Sequence, residues 1–154
     1  MIKAIIYQSN TGFARQYAYH FAIKVGVPIY SIDEAKKLLD GINVIYFSWI
    51  KNGKIVDLDK VKRFNISYVC SVGLLDYTPE YIESLKKDNN IDNIYYLKGG
   101  LRLYKLNNKK KKEKLSDSEK ELLYKLEKGY ETIDLDSLNA LIDWCINENN
   151  NIVS

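Results

Sequence analysis

Four consecutive residues, Ser9-Asn10-Thr11-Gly12, put two hydroxyls, an amide side chain and a glycine directly ahead of a stretch with helical apolar spacing. Hydroxyl and backbone N–H donors at the start of a helix make an anion site that the helix dipole reinforces, and a phosphate suits it; the same residues also serve as an ordinary capped helix start. The stretch matches neither the longer P-loop that ends in Gly-Lys-Ser/Thr nor the dinucleotide pattern of three spaced glycines, which weighs against nucleoside triphosphate and nicotinamide chemistry. Two further polar stretches follow apolar runs. The first is Ser48-Trp49-Ile50-Lys51-Asn52-Gly53 and the second Gly73-Leu74-Leu75-Asp76-Tyr77. Each carries one large aromatic, Trp49 or Tyr77, whose planar face either stacks on a ligand or lies as a lid on a helix layer.

Other chemistries lack their raw material. The chain has one histidine, His20, and two cysteines, Cys70 and Cys145, set far apart among apolar residues. Disulfide scaffolds and Cys/His metal clusters are therefore excluded, no metal is expected, and a Ser-His-Asp hydrolase would rest on His20 alone. His20 falls opposite the apolar stripe of its helix and reads as a surface residue, while both thiols read as inert core residues. No catalytic side chain is singled out. Lys and Arg number 23 against 20 Asp and Glu, a net charge of +3 that is too even for a surface built to hold nucleic acid. The basic excess has a local address in Lys109-Lys110-Lys111-Lys112, followed by Lys114. Such a run is either a solvated loop or a docking patch for an acidic redox partner or an anionic membrane surface. The opening residues Met1 to Tyr7 lack a leader pattern and no stretch approaches the roughly 18 apolar residues of a membrane span, so a cytoplasmic location is expected.

The elements that must carry these residues alternate along the chain. Ala4 to Tyr7 reads as a buried strand, and Ala14, Tyr17, Ala18, Phe21, Ala22 and Val25 keep the three-and-four spacing of an amphipathic helix that closes at Gly26. Val27 to Tyr30 is a second strand, and Ser31 with Glu34 forms a capping box ahead of a helix to Leu39. Asn43 to Phe47 is a third strand, Asp57 to Phe64 a short helix, and Ile66 to Val72 a fourth strand. Thr78-Pro79 opens a helix to about Asn89, and Asn93 to Leu97 supplies a fifth strand. Short apolar strands separated by helices predict a doubly wound α/β sheet covered on both faces. The whole chain, 1–154, reads as one domain with an insertion at about 101–130, a returning helix through Leu138, Leu141, Ile142, Cys145 and Ile146, and a polar tail at about 147–154. Most tyrosines, among them Tyr7, Tyr17, Tyr46, Tyr68 and Tyr95, fall on strands or a helix face, where packing accounts for them.

With these residues in place, the sequence resembles the flavodoxin family over most of its length and in order. Ser9-Asn10-Thr11-Gly12-Phe13-Ala14 looks like that family's phosphate loop for flavin mononucleotide (FMN), departing from it at Ala14, where a hydroxyl residue is common. The resemblance implies a sheet of five parallel strands in the order 2-1-3-4-5. It also implies that residues 48–53 and 73–77 hold the isoalloxazine ring, through Ser48, Trp49, Ile50, Lys51, Asn52 and Gly53 on one side and Gly73, Leu74, Asp76 and Tyr77 on the other. Asn52-Gly53 would offer a flexible peptide near the ring or form an ordinary turn; Asp76 would accept from the flavin edge or cap its loop. Arg15 would add charge to the phosphate by folding back, or face solvent. Arg15, residues 71–75 and above all Gly99-Gly100-Leu101-Arg102-Leu103-Tyr104 are similar to the branch that includes the flavodoxin-like protoporphyrinogen oxidases, which carry an insertion after the fifth strand. The implied activity is electron transfer through a non-covalent FMN to a redox partner protein or a small-molecule oxidant. The alternatives are a protoporphyrinogen or quinone oxidoreductase of the same type, and a flavodoxin-fold interaction module without a cofactor.

Overall fold

The computed structural model describes residues 1–10, 12–99 and 133–151. Strand β1 (Ala4–Tyr7) leads through residues 8–12 into helix α1 (Phe13–Val25), which Gly26 closes with its N–H donated to the Ala22 carbonyl. Strands β2 (Ile29–Ser31), β3 (Asn43–Lys51), β4 (Lys54–Ile55) and β5 (Asn65–Gly73) follow, then helix α2 (Pro79–Asn89), strand β6 (Ile94–Lys98) and helix α3 (Asn139–Asn150). Hydrogen bonding orders the sheet β2-β1-β3-β5-β6, all parallel, with β4 folded back antiparallel on β3. Counting the parallel strands alone, the order is 2-1-3-4-5, the flavodoxin-like order of doubly wound sheets. The winding reverses between β1 and β3.

The two faces are covered differently. On one, α1 and α3 bury Phe13, Tyr17, Phe21, Leu141 and Cys145 against Ile5, Ile45, Phe47, Cys70, Val72 and Leu97. The Phe21 and Phe47 rings meet at 5.6 Å. On the other, Ala4, Ile6, Val44, Tyr46 and Val69 lie under Ile32, Ala35, Leu58, Val61 and Phe64. There the segments between β2 and β3 and between β4 and β5 form single 3-10 turns, Glu34–Lys37 and Leu58–Val61, where the sequence predicts helices to Leu39 and over residues 57–64. The capping box forms, with Ser31 N donating to Glu34 Oε1 at 2.9 Å and Glu34 N to Ser31 Oγ at 3.2 Å, but the Arg63 guanidinium takes the Ala35 and Leu38 carbonyls at 2.7 Å each. Ala35 O also accepts from Leu38 N at 3.0 Å in the 3-10 pattern, and Leu38 then turns extended, so Arg63 holds the carbonyls that the short turn leaves at its end. The second turn starts from Asp57, held at φ 59°.

Helix α2 begins where Thr78-Pro79 places it: Thr78 Oγ1 accepts from Tyr81 N at 3.1 Å and Pro79 fills the first helical position. Its last residue, Asn89, is buried and fastens β4, accepting from Ile55 N at 2.8 Å and donating to Gly53 O at 3.0 Å and Leu85 O at 2.8 Å. The expected insertion at about 101–130, the lysine run within it, Gly100 to Tyr104, and residues 152–154 of the tail lie outside the described residues. Both stems of the excursion are described. The fully buried Tyr17 hydroxyl donates to the Lys98 carbonyl at 2.6 Å and accepts from Asp134 N at 3.0 Å, so one oxygen holds the chain where it leaves and where it returns. Among the described residues no helix is long and apolar enough to cross a membrane.

Candidate functional site

Ligands in an open α/β sheet settle outside the carboxyl ends of the strands, at the point where the winding reverses. Here that point is the carboxyl edge of β1 and β3, with β5 beside β3. All three polar stretches singled out from the sequence reach this edge. The stretch after β1 is anchored at its base: Gln8 N donates to Phe47 O at 2.9 Å, and its side chain bridges outward, Nε2 to Asp57 Oδ2 at 2.8 Å, while Oε1 accepts from Ser9 N at 3.2 Å. Ser9 Oγ accepts from Gly12 N at 3.1 Å. Gly12 stands at the start of α1 in the left-handed region, φ 95°, and the helix has no side-chain cap. Asn10 is exposed; Phe13 and Ala14 are buried in the α1–sheet interface, so only their backbone can face a ligand. Thr11 lies outside the described residues. Arg15 sets its guanidinium 5.2 Å from the Tyr19 ring centre, and Tyr19 in turn packs on Tyr7, so this cation belongs to an aromatic cluster on the outer side of α1.

The second stretch is not the loop that the sequence suggests. Strand β3 runs on through Ser48, Trp49, Ile50 and Lys51, four residues past the Tyr7–Phe47 pairing that ends its contact with β1. It then reverses at Asn52-Gly53, whose φ values of 52° and 76° are those of a two-residue hairpin turn, and Ile50 and Lys51 pair with Ile55 and Lys54. Ser48 is fully buried and donates to Val56 O at 2.8 Å, the same carbonyl that takes the Tyr46 hydroxyl at 2.7 Å. Its hydroxyl closes the hairpin rather than facing the edge. Trp49, in register with Val72, is half-buried and leans on the α1 side of the core, while Lys51 and Asn52 are exposed at the hairpin tip.

The third stretch is held from β6. Gly73 lies beneath Tyr96, so close that a β-carbon there would come within 2.6 Å of its hydroxyl, and the Tyr96 hydroxyl donates to Leu75 O. Lys98 forms an ion pair with Asp76. These two β6 side chains fix residues 74–77 at the edge and leave Leu75 and Tyr77 open, 42% and 65% exposed. Burial, with Tyr81 and Asp76 nearby, raises the Tyr96 hydroxyl well above the usual tyrosine range, so it donates as a neutral group. Burial likewise lifts both thiols, Cys145 to about 11 and Cys70 well above its ordinary value, which suits core packing rather than redox chemistry.

The site thus gathers the Ser9–Ala14 stretch, the 50–53 hairpin tip and the 73–77 loop on three adjacent strands. Four anchoring residues were missed in the sequence: Gln8, Asp57, Tyr96 and Lys98. Alternation along Tyr95-Tyr96-Leu97-Lys98 marks the β6 pair as facing away from the helical core, but nothing local marks Gln8 and Asp57, which are 49 positions apart. Comparison with known proteins adds little to this geometry. A solved structure described as a flavodoxin from the domain Archaea is similar to this chain at 14% identity and a TM-score of 0.35, over 70% of this chain and 90% of that one. No protein-family model matches the sequence, and no curated protein matches it. The fold class rests on the chain's own strand order.

Proposed function

We propose that the carboxyl edge of β1, β3 and β5 binds FMN non-covalently and that the protein transfers electrons through it to a partner protein or a small-molecule oxidant. The observation that supports this most is the convergence of the three stretches on the point where the winding reverses. The residues present fit the group in kind. Ser9, Asn10, Thr11 and Gly12, with the backbone N–H groups of Phe13 and Ala14, would hold the phosphate at the start of α1. Trp49 and the exposed Tyr77 would flank the ring, with Ile50, Lys51, Asn52 and Gly53 along one side and Gly73, Leu74 and Asp76 along the other. Bound flavin supplies the redox chemistry; the chain positions it and sets its surroundings.

A second reading has its own support. Asp76 is already paired with Lys98, so one group assigned to the ligand is engaged within the chain. That pattern suits a flavodoxin-fold interaction module that works without a cofactor. Within the redox reading, the segment Gly99 to Tyr104 supports protoporphyrinogen or a quinone as substrate, and Lys109–Lys112 supports docking of an acidic partner or contact with an anionic membrane. Neutralising those four lysines would then lower the rate with the partner at low salt and leave it unchanged at high salt.

Fluorescence titration of FMN with the purified protein separates the readings. The redox reading expects saturable quenching, with riboflavin, which lacks the phosphate, binding more weakly. Thr11→Val should cost about 1–3 kcal/mol of FMN affinity through the lost hydrogen bond to a charged group. Absence of quenching leaves the module without cofactor.

A further inference from the structure

On the thinly covered face, between the 3-10 turns at 34–37 and 58–61, lies a cleft of about 340 Å³. Doubly wound sheets ordinarily carry full helices over this face, and the shortness of both turns is what leaves the space. The volume falls within the roughly 300–1,000 Å³ of small-molecule sites. Its apolar lining is Ile32, Ala35, Val61 and Phe64, and its charged lining is Asp33, Lys36, Lys60 and Arg63, three cations to one carboxylate. None of these residues belongs to the carboxyl-edge site.

The charges differ in how firmly they are held. Arg63 is fixed, bonded to the Ala35 and Leu38 carbonyls and to Asp40 at 2.7 Å each, with its guanidinium 4.0 Å from the Phe64 ring centre. Lys36 and Lys60 meet Asp33 and Asp57 at 3.5 Å through largely exposed ammonium groups, pairs that contribute little and exchange readily for another anion. A ligand entering here finds an apolar floor, a rigid cation stacked on an aromatic ring, and two adjustable cations at the rim. We infer that this cleft is a second ligand site, for a small organic anion with a flat apolar body. The apolar body lies against the edges of Ile32 and Phe64 that reach the cleft, and the anionic group sits between Lys36 and Lys60.

The test is a titration of the ¹⁵N-labelled full chain with naphthalene-2-sulfonate, followed by amide chemical shifts. Saturable shifts centred on residues 32–36 and 60–64 are expected, with neutral 2-naphthol binding more weakly. The double variant Lys36→Gln, Lys60→Gln should lose about fivefold or more in affinity with little change in melting temperature, since both ammonium groups are largely exposed and a glutamine amide can still donate to Asp57. Shifts that do not saturate, shifts centred on residues 9–14 and 73–77, or a double variant that binds like the parent would each overturn the assignment. The outcome is independent of whether FMN binds.

Discussion

The two faces of the sheet are stabilised in different ways. Beneath α1 and α3, the contact is spread over many apolar side chains, with Phe21 and Phe47 at its centre and no single residue in charge. On the other face a second apolar cluster, with Ile6, Tyr46, Val61 and Phe64 buried, is supplemented by polar ties: Asn89 joins α2 to the β3–β4 hairpin, Arg63 joins one 3-10 turn to the next, and Gln8 reaches Asp57. Distributed packing tolerates reshaping as long as volume is kept; a polar tie fails when one atom is removed. The second face is where two of the connections shorten to single 3-10 turns, and where the chain builds both the hairpin at the carboxyl edge and the cleft.

Substitutions can break that contrast. Phe21→Ala should cost the most, about 3–5 kcal/mol, while Phe21→Leu recovers the larger part because the lining can close on it, as read by denaturant unfolding. On the opposite face Asn89→Ala should cost about 2–3 kcal/mol by stranding the Ile55 N–H and its neighbours, and Asn89→Leu, although apolar and of similar size, should not recover it. Recovery by leucine would mean that packing governs both faces. Tyr17→Phe removes only the oxygen between Lys98 and Asp134, and should cost about 1–2 kcal/mol while speeding amide exchange at Asp134. Smallest is Ser71→Ala. Ser71 Oγ is buried without a hydrogen-bond partner among the described residues, so its removal should change stability by no more than about 0.5 kcal/mol or raise it slightly.

The same contrast explains what could be read from the sequence. The helical face was legible, because Ala14, Tyr17, Ala18, Phe21 and Ala22 repeat at helical spacing and all become buried. So was α2, whose Thr78-Pro79 start is local chemistry. The other face was less so. Ser48 reads as the polar end of an apolar strand, yet it is buried inside a strand that continues, because Val56 eight residues later offers it a carbonyl. The helix expected to Leu39 is a single turn whose terminal carbonyls are held by Arg63, 28 residues beyond Ala35, a partner that local sequence does not reveal. Asn89 could have been found, since it occupies a buried position on the stripe of Ile82 and Leu85. At the edge, the first and third stretches were legible from strand ends, whereas the second is strand and hairpin; the ties from Asp57, Tyr96 and Lys98 depend on pairings that only the folded sheet creates.

The central claim is that one edge of the sheet holds both ends of a flavin nucleotide. Amide chemical shifts of the ¹⁵N-labelled full chain, recorded during addition of FMN, test it directly. Saturable shifts at Ser9 to Ala14 and at Gly73 to Tyr77 that follow a single binding curve are predicted, with the Ser9–Ala14 shifts much reduced for riboflavin. Shifts confined to another part of the chain, or none at FMN concentrations that saturate ordinary cofactor sites, would contradict it.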